Sequence, residues 1–205
     1  MPNDCMNYVS IKVKNDKELF DRIKKNLEDE ENPTLFSTLY PEPDYTKVDV
    51  VKAFGDGKEL VEDRSQAWYD WRITHWGTKW ELYDVDVPTI ECGEDTIHTP
   101  EGSYKQYEIS FPFATAWSPP VEWYDYVTAN YPNISIDANY EEFGCCFAGQ
   151  YQSEYGKVGQ DNCVSWDSIE DMERIVREHK DDLPDVVDTL LTELEYLKER
   201  EAENE

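Results

Sequence analysis

Residues 68–80 read Trp-Tyr-Asp-Trp-Arg-Ile-Thr-His-Trp-Gly-Thr-Lys-Trp, so four of the chain's seven Trp fall in one short run with Arg72 and Lys79 among them. Indole faces beside cations suit stacking on a base, a sugar or a partner's guanidinium. The same residues suit a second role, anchoring an insertion onto a sheet, with Gly77 permitting a tight turn. Both readings stay open at this point. The stretch Trp76 to Trp80 is expected at the surface, as a turn entering a strand. The candidate binding residues here are Trp71, Arg72, Trp76, Gly77, Thr78, Lys79 and Trp80.

Other residue pairs offer less chemistry. Asp84 and Asp86 lie two apart on an expected strand, hence on one face, where paired carboxylates can hold a hard divalent cation. Such pairs arise by chance in an acidic chain, and no metal site is assigned. Cys145 and Cys146 are adjacent; on a strand they would face opposite ways, and a bond between them would be strained. Cys5, Cys92 and Cys163 complete an odd set without a Cys-x-x-Cys, and His75, His98 and His179 are not spaced as ligands near them. Reduced thiols acting as small core residues are expected. No Gly-rich phosphate loop, Gly-x-Ser-x-Gly or His-Glu-x-x-His is present. No catalytic residue and no cofactor is assigned, and the chain reads as a non-enzyme.

Charge bounds the partners. The 205 residues carry 46 acidic and 19 basic side chains, a net charge of −27. Residues 1–166 hold 31 acidic against 14 basic, and residues 167–205 hold 15 against 5, so the acid is not a tail. Direct binding to nucleic acid through a phosphate-contacting face is disfavoured, as is an anionic membrane surface. The acid either keeps the protein soluble or engages a basic partner, including by imitating nucleic acid. The N-terminus lacks a basic, then apolar leader, and no apolar run approaches the roughly 20 residues that span a bilayer. A cytoplasmic protein is expected.

The elements that must position these residues follow from periodicity. Residues 7–13 alternate as a half-buried strand. Asp16 caps a helix with Leu19, Phe20, Ile23 and Leu27 on one stripe, ending in the acidic run Glu28 to Glu31 before Pro33. An insertion of loops and short helices covers about 33–79, with Gly55-Asp56-Gly57 marking a turn. Strands are expected at 80–87 and 104–113, with a loop at 88–103 between them. Ser118 is read as the N-cap of a helix that carries Trp123, Tyr126 and Val127 to about Asn130. A strand at 134–138, a second from Cys145 to Tyr151 and a short one near Val164 follow. This order, β-α-insertion-β-β-α-β, is the ferredoxin-like split βαβ arrangement: an α+β fold with an antiparallel sheet and two packed helices.

The domain is placed at residues 1–166. Residues 167–205 are read as an acidic C-terminal helical hairpin. Ser168 caps its first helix, with Ile169, Met172, Val176 and His179 on one stripe. Pro184 restarts the second, where Leu183, Val187, Leu190, Leu194 and Leu197 form a seam two heptads long. Docking on the domain is expected for that seam, with dimerisation through it or through the sheet as the alternative. Glu199 to Glu205 are expected to fray.

Several of these residues also carry a resemblance. Trp68-Tyr69-Asp70-Trp71-Arg72, His75-Trp76-Gly77-Thr78-Lys79-Trp80, Thr115-Ala116-Trp117-Ser118-Pro119-Pro120, Tyr140-Glu141-Glu142 and Phe147-Ala148-Gly149 occur in that order, after Met1-Pro2-Asn3, Cys5, Asn7 and Val9. Over roughly residues 1–152 the chain resembles the YubB-type ferredoxin-like family carried by plasmids and bacteriophages. His75 stands where that family is expected to have Asn. The resemblance implies a ferredoxin-like fold, a mobile-element origin and residence in bacterial cytoplasm, and no catalytic residue. It adds Thr115, Trp117, Tyr140 and Glu141 to the candidate binding set. The resulting expectation is an accessory protein that binds a host or phage protein. A Trp-lined small-ligand or nucleotide site, and a virion or assembly component, are the rivals.

Overall fold

A computed structural model describes residues 3–45, 67–86 and 89–204, with side chains described as far as Arg200. Gly55-Asp56-Gly57 lies outside the described residues. The sheet is built around β1 (Asp4–Lys14), where Cys5, Asn7, Val9, Ile11 and Val13 alternate inward. Asp16 accepts the Leu19 N–H at 2.9 Å and starts α1 (Lys17–Leu27), whose Leu19, Phe20, Ile23 and Leu27 are all buried. A short helix α2 (Phe36–Leu39) and α3 (Ala67–His75) come before β2 (Glu91–Thr99) and β3 (Gly102–Ala116). Then follow α4 (Val121–Asn130), β4 (Ile134–Glu142), β5 (Phe147–Glu154) and β6 (Lys157–Ser165).

The sheet order is β2-β3-β1-β4-β5-β6, with every pairing antiparallel. β3 therefore lies between β1 and β2, and β1 lies between β3 and β4. Each crossover, through α1 and through α4, skips one strand: two interleaved βαβ units, the ferredoxin-like topology expected from the element order. β5 and β6 extend the sheet past β4 as a meander.

The second strand of that pattern is not the one expected. Residues 80–86 form no strand beyond a single bridge between Tyr83 and Ala114. The segment runs beside the last residues of β3, past Glu91↔Ser110 where the β2 pairing ends. Strand β2 occupies the expected loop instead. Nearly all of its residues are exposed, so it shows no apolar alternation, and its pairing is with β3 alone. Two further expectations are corrected. Cys145 and Cys146 sit in the turn before β5, Cys146 at φ 57. Pro120, not Ser118, occupies the N-cap of α4.

Glu81 turns inward to a structural task. Its carboxylate accepts the N–H groups of Leu35 (3.2 Å), Phe36 (2.7 Å) and Ser37 (2.9 Å), the orphan donors at the start of α2. Charge-assisted bonds of this kind are the strong ones. Glu81→Ala is expected to lower stability by about 1–3 kcal/mol, read as a shift in the urea midpoint. Glu81→Gln, which keeps only one acceptor oxygen, is expected to fall between.

Two cores flank the sheet. The larger, under α1, α2, α3 and α4, includes Ile11, Ile23, Phe36, Trp76, Phe113, Trp123 and Tyr151. The smaller holds Ala148 from β5, Trp166 just after β6, Met172 and Ile175 from α5 (Ile169–Glu178), Leu183, and Val186, Leu190 and Leu194 from α6 (Pro184–Asn204). Ala148 and Tyr151 are three apart on β5 and so lie on opposite faces. The C-terminal hairpin thus packs on the face away from α1 and α4. Ser168 caps α5 through the Asp171 N–H at 3.1 Å. The leucine seam of α6 is filled by its own chain, and α6 runs on to Asn204. Among the described residues no helix is long and apolar enough to cross a membrane.

Candidate functional site

The Trp-rich run builds a corner rather than a platform. Trp71 and Trp76 are buried in the main core, their rings edge-on at 5.7 Å. The Trp76 indole N–H donates to the Tyr40 carbonyl at 3.0 Å. Arg72 makes a bidentate pair with Glu42, both contacts at 2.7 Å, and lies over the rings of Trp68 and Trp76. The expectation that Trp76 to Trp80 is a surface turn is corrected. Trp76 and Thr78 are buried, and Lys79 and Trp80 are half-buried.

Hydrogen bonds stitch this run to residues 115–120. Buried Thr78 donates to the Ala116 carbonyl at 3.2 Å, Ser118 donates to the Gly77 carbonyl, and buried Thr115 donates to the Ser118 carbonyl at 2.8 Å. Gly77 sits at φ +79, and a Cβ there would overlap the Glu122 carboxylate, so only glycine closes the corner. Trp71, Arg72, Trp76, Gly77, Thr78 and Thr115 are therefore committed to holding the fold.

Of the candidates at this corner, Trp117, Lys79 and Trp80 remain able to meet a partner. Trp117 is 51% exposed and held at φ 74, its N–H donating to the Asn3 carbonyl. Left-handed backbone is rare for a bulky residue and costs about 1–2 kcal/mol. Lys79 lies over Trp80 at 4.7 Å, and Trp80 packs edge-on against Tyr83. Asp84 and Asp86 do not share a strand face, because residues 84–86 are irregular and Asp84 is at φ 54.

Tyr140 and Glu141 are adjacent on β4, and the pleat sends them to opposite faces. Tyr140 is buried, its ring seated on Gly149, where a Cβ would overlap the phenol. Glu141 lies on the other face, the one carrying Tyr8, Ser10, Asp137 and Asn139. Cross-strand pairs place these side chains together: Tyr8 opposite Pro112 and Asn139, and Ser10 opposite Ser110 and Asp137. With Thr89, Glu91 and Asp185 they line a groove of about 400 Å3. Its acids are Glu91, Asp137 and Asp185, and no Lys or Arg is among the described residues lining it. Tyr8 is 49% exposed. Asn139 donates to Asp185 at 3.4 Å, while its Oδ1 is buried without a partner.

Sequence reasoning missed this face. Tyr8, Ser10 and Asp137 each occupied the outward phase of a recognised strand, but only the register brings them into line with β2 and the start of α6. Among the described residues, cations interrupt the acid. Lys12 sits 3.8 Å from Glu108 on the same face, and Lys17, Lys24, Lys105 and Lys198 each pair with an acid elsewhere.

Beside the groove, burial raises the Glu141 pKa, with Glu193 adding to it, and burial likewise raises that of Glu193. Each binds its proton more tightly folded than unfolded. Their ionisation therefore costs stability, and this cost disappears as pH falls through the raised folded values. Glu141→Gln is expected to raise stability at neutral pH and to flatten this part of the profile. Urea midpoints from pH 4 to 7 check it; an unchanged profile would contradict the assignment.

Residues 96–187 match the family model described as the ferredoxin-like domain in Api92-like protein. The matched stretch runs from β2 through α5 into the first turn of α6, so it takes in part of the C-terminal hairpin, beyond where the sequence resemblance stopped. Thr115 to Pro120 and Tyr140 to Glu142 fall inside it, and the Trp-rich run lies before it. No curated protein and no solved structure matches the chain. Over residues 96–187 the chain is thus similar to the ferredoxin-like domain in Api92-like protein, and its fold is ferredoxin-like.

Proposed function

We propose that this is an accessory protein that binds a basic segment of another protein along the open face of its sheet. The observation that carries the reading is the groove between β2 and α6. It is concave, floored by Tyr8, Ser10, Ser110 and Asn139, and walled by Glu91, Asp137 and Asp185, with no Lys or Arg among the described residues that line it. Carboxylates around an exposed tyrosine ring favour a Lys or Arg side chain, by charge and by cation–π contact. Glu141, its pKa raised by burial and by the nearby Glu193, lies on the same face and adds to the acid there. A local acidic groove supports binding without requiring a continuous imitation of nucleic acid. Following the resemblance to plasmid- and phage-borne proteins, the partner is a host or phage protein in bacterial cytoplasm.

The test is fluorescence anisotropy with a labelled Arg/Gly peptide and its citrulline counterpart, at low and high salt. The Arg peptide is expected to bind, and to weaken as salt screens the attraction. Equal binding of the uncharged peptide, or none of either, would sink the proposal.

A further inference from the structure

The open face of the sheet holds a second concavity, further along β1 than the groove. Lys12, Gln106, Ser135, Asp137 and Gln152 line it, each in the outward phase of its strand, and Tyr104 and Tyr155 complete its wall. The register brings these side chains together: Lys12 is opposite Ser135, and Asp137 is opposite Gln152. The cavity measures about 360 Å3, within the range of small-ligand sites. It adjoins the groove, and Asp137 borders both.

Two departures from regular structure build it. Gln152 pairs with Gln160 and Ser153 with Val158, so Gly159, which also lines the cavity, is the extra residue of a bulge. Just beyond, Tyr155 and Gly156 make the turn between β5 and β6 at φ 43 and φ 90. Left-handed backbone at both central residues is the tight hairpin turn that favours Asn-Gly, and a bulky ring there is strained. Strain of this kind is kept where a side chain is needed. The Tyr155 hydroxyl donates to Gln106 Oε1 at 2.8 Å, and its N–H donates to Ser135 Oγ at 3.0 Å. Its ring stands edge-on to Tyr104 at 6.0 Å, and the Lys14 ammonium lies against both rings, 4.2 Å from Tyr104 and 5.0 Å from Tyr155.

The internal bonds leave donors and acceptors in the same cavity. Gln106 spends its carbonyl oxygen on Tyr155 and keeps its amide N–H groups. Ser135 accepts the Tyr155 N–H and Ser153 accepts the Ile136 N–H at 3.2 Å, so each buried hydroxyl keeps a proton to give. Lys12 makes one long contact, with Glu108 at 3.8 Å. On the accepting side, Gln152 gives its amide to Asp137 Oδ1 at 3.3 Å and keeps its carbonyl oxygen, while Asp137 keeps its second oxygen. Charge disfavours an ion of either sign. Asp137 and Glu154 repel an anion, and Lys12, with Lys14 beside the rings, repels a cation. A hydroxyl meets donors and acceptors alike without charge, because it gives one hydrogen bond and accepts two. Several hydroxyls on a ring with a C–H face also suit a tyrosine wall.

We propose that this cavity binds a sugar ring, with Lys12, Gln106 and Ser135 donating to its hydroxyls, Asp137 and Gln152 accepting from them, and Tyr104 against its C–H face. This is a small-ligand site beside the groove, and it does not depend on the groove's having a protein partner.

The test is NMR of the isotope-labelled full chain, following the Gln106 and Gln152 side-chain amides and the Tyr155 N–H. The probes are methyl β-glucopyranoside, methyl β-galactopyranoside and N-acetylglucosamine. The controls are tetrahydropyran, which has the ring without the hydroxyls, and inorganic phosphate, methylammonium and glycylglycine. At least one sugar is expected to shift these resonances saturably, and none of the controls is. Lys12→Met and Tyr104→Ser are each expected to weaken that sugar by about tenfold. Asp185→Lys, which alters the groove and not this cavity, is expected to leave its affinity unchanged. Failure of all three sugars, a saturable response to any control, undiminished binding in both cavity variants, or loss of binding in Asp185→Lys would each overturn the proposal.

Discussion

Trp76→Ala is expected to destabilise the protein by about 3–5 kcal/mol, the largest single loss at any candidate binding residue. Trp76 is 1% exposed, packs against Phe36 and Trp71, and donates to the Tyr40 carbonyl. Truncation would open a cavity beside α2 and leave that carbonyl unpaired. The contrasting variant is Trp117→Gly, which frees a left-handed residue while removing a half-exposed ring. Its stability should stay within about 1 kcal/mol of the parent, because relief of backbone strain offsets the lost contact. Urea unfolding of both variants decides whether the Trp-rich corner is core and Trp117 is rim. A mild Trp76 variant would reopen the platform reading.

Leu190→Ala is expected to cost about 2–5 kcal/mol. Leu190 is fully buried in the second core, among Ala148, Trp166, Met172, Ile175 and Leu194. Those neighbours belong to β5, the residue after β6 and the C-terminal hairpin itself, so the loss is a property of one chain. Its size should therefore not depend on protein concentration. A seam used for dimerisation would give a midpoint that rises with concentration, since association stabilises by mass action. Unfolding at two concentrations a hundredfold apart distinguishes the two arrangements.

The sequence was most legible where one residue type does one local job. Asp16 and Ser168 announced their helices, and Leu19, Phe20, Ile23 and Leu27 announced the buried stripe of α1. The alternation from Val9 to Val13 announced β1. It was least legible where pairing alone makes the element. Strand β2 is paired on one side and exposed along nearly its whole length, so periodicity had nothing to report. Trp80 to Val87 alternates well, yet Glu81 is claimed by the start of α2 and Leu82 by the core. The groove was not legible, because Tyr8, Glu91, Asp137 and Asp185 are distant in sequence and meet only through the register of three strand pairs and the docking of α6. Tyr140 and Glu141 looked like one motif, and the pleat assigns them to different faces.

The central claim is that position, and not bulk charge, makes the open face a binding surface. The most direct measurement compares two double charge reversals against the Arg/Gly peptide. Asp137→Lys with Asp185→Lys changes the groove. Glu30→Lys with Glu101→Lys makes the same change in net charge at exposed positions outside it. The groove pair is expected to weaken binding by about tenfold or more, and the outer pair by less than about threefold. Equal losses would mean that the peptide responds to the overall charge of the protein, and the groove would not be its site.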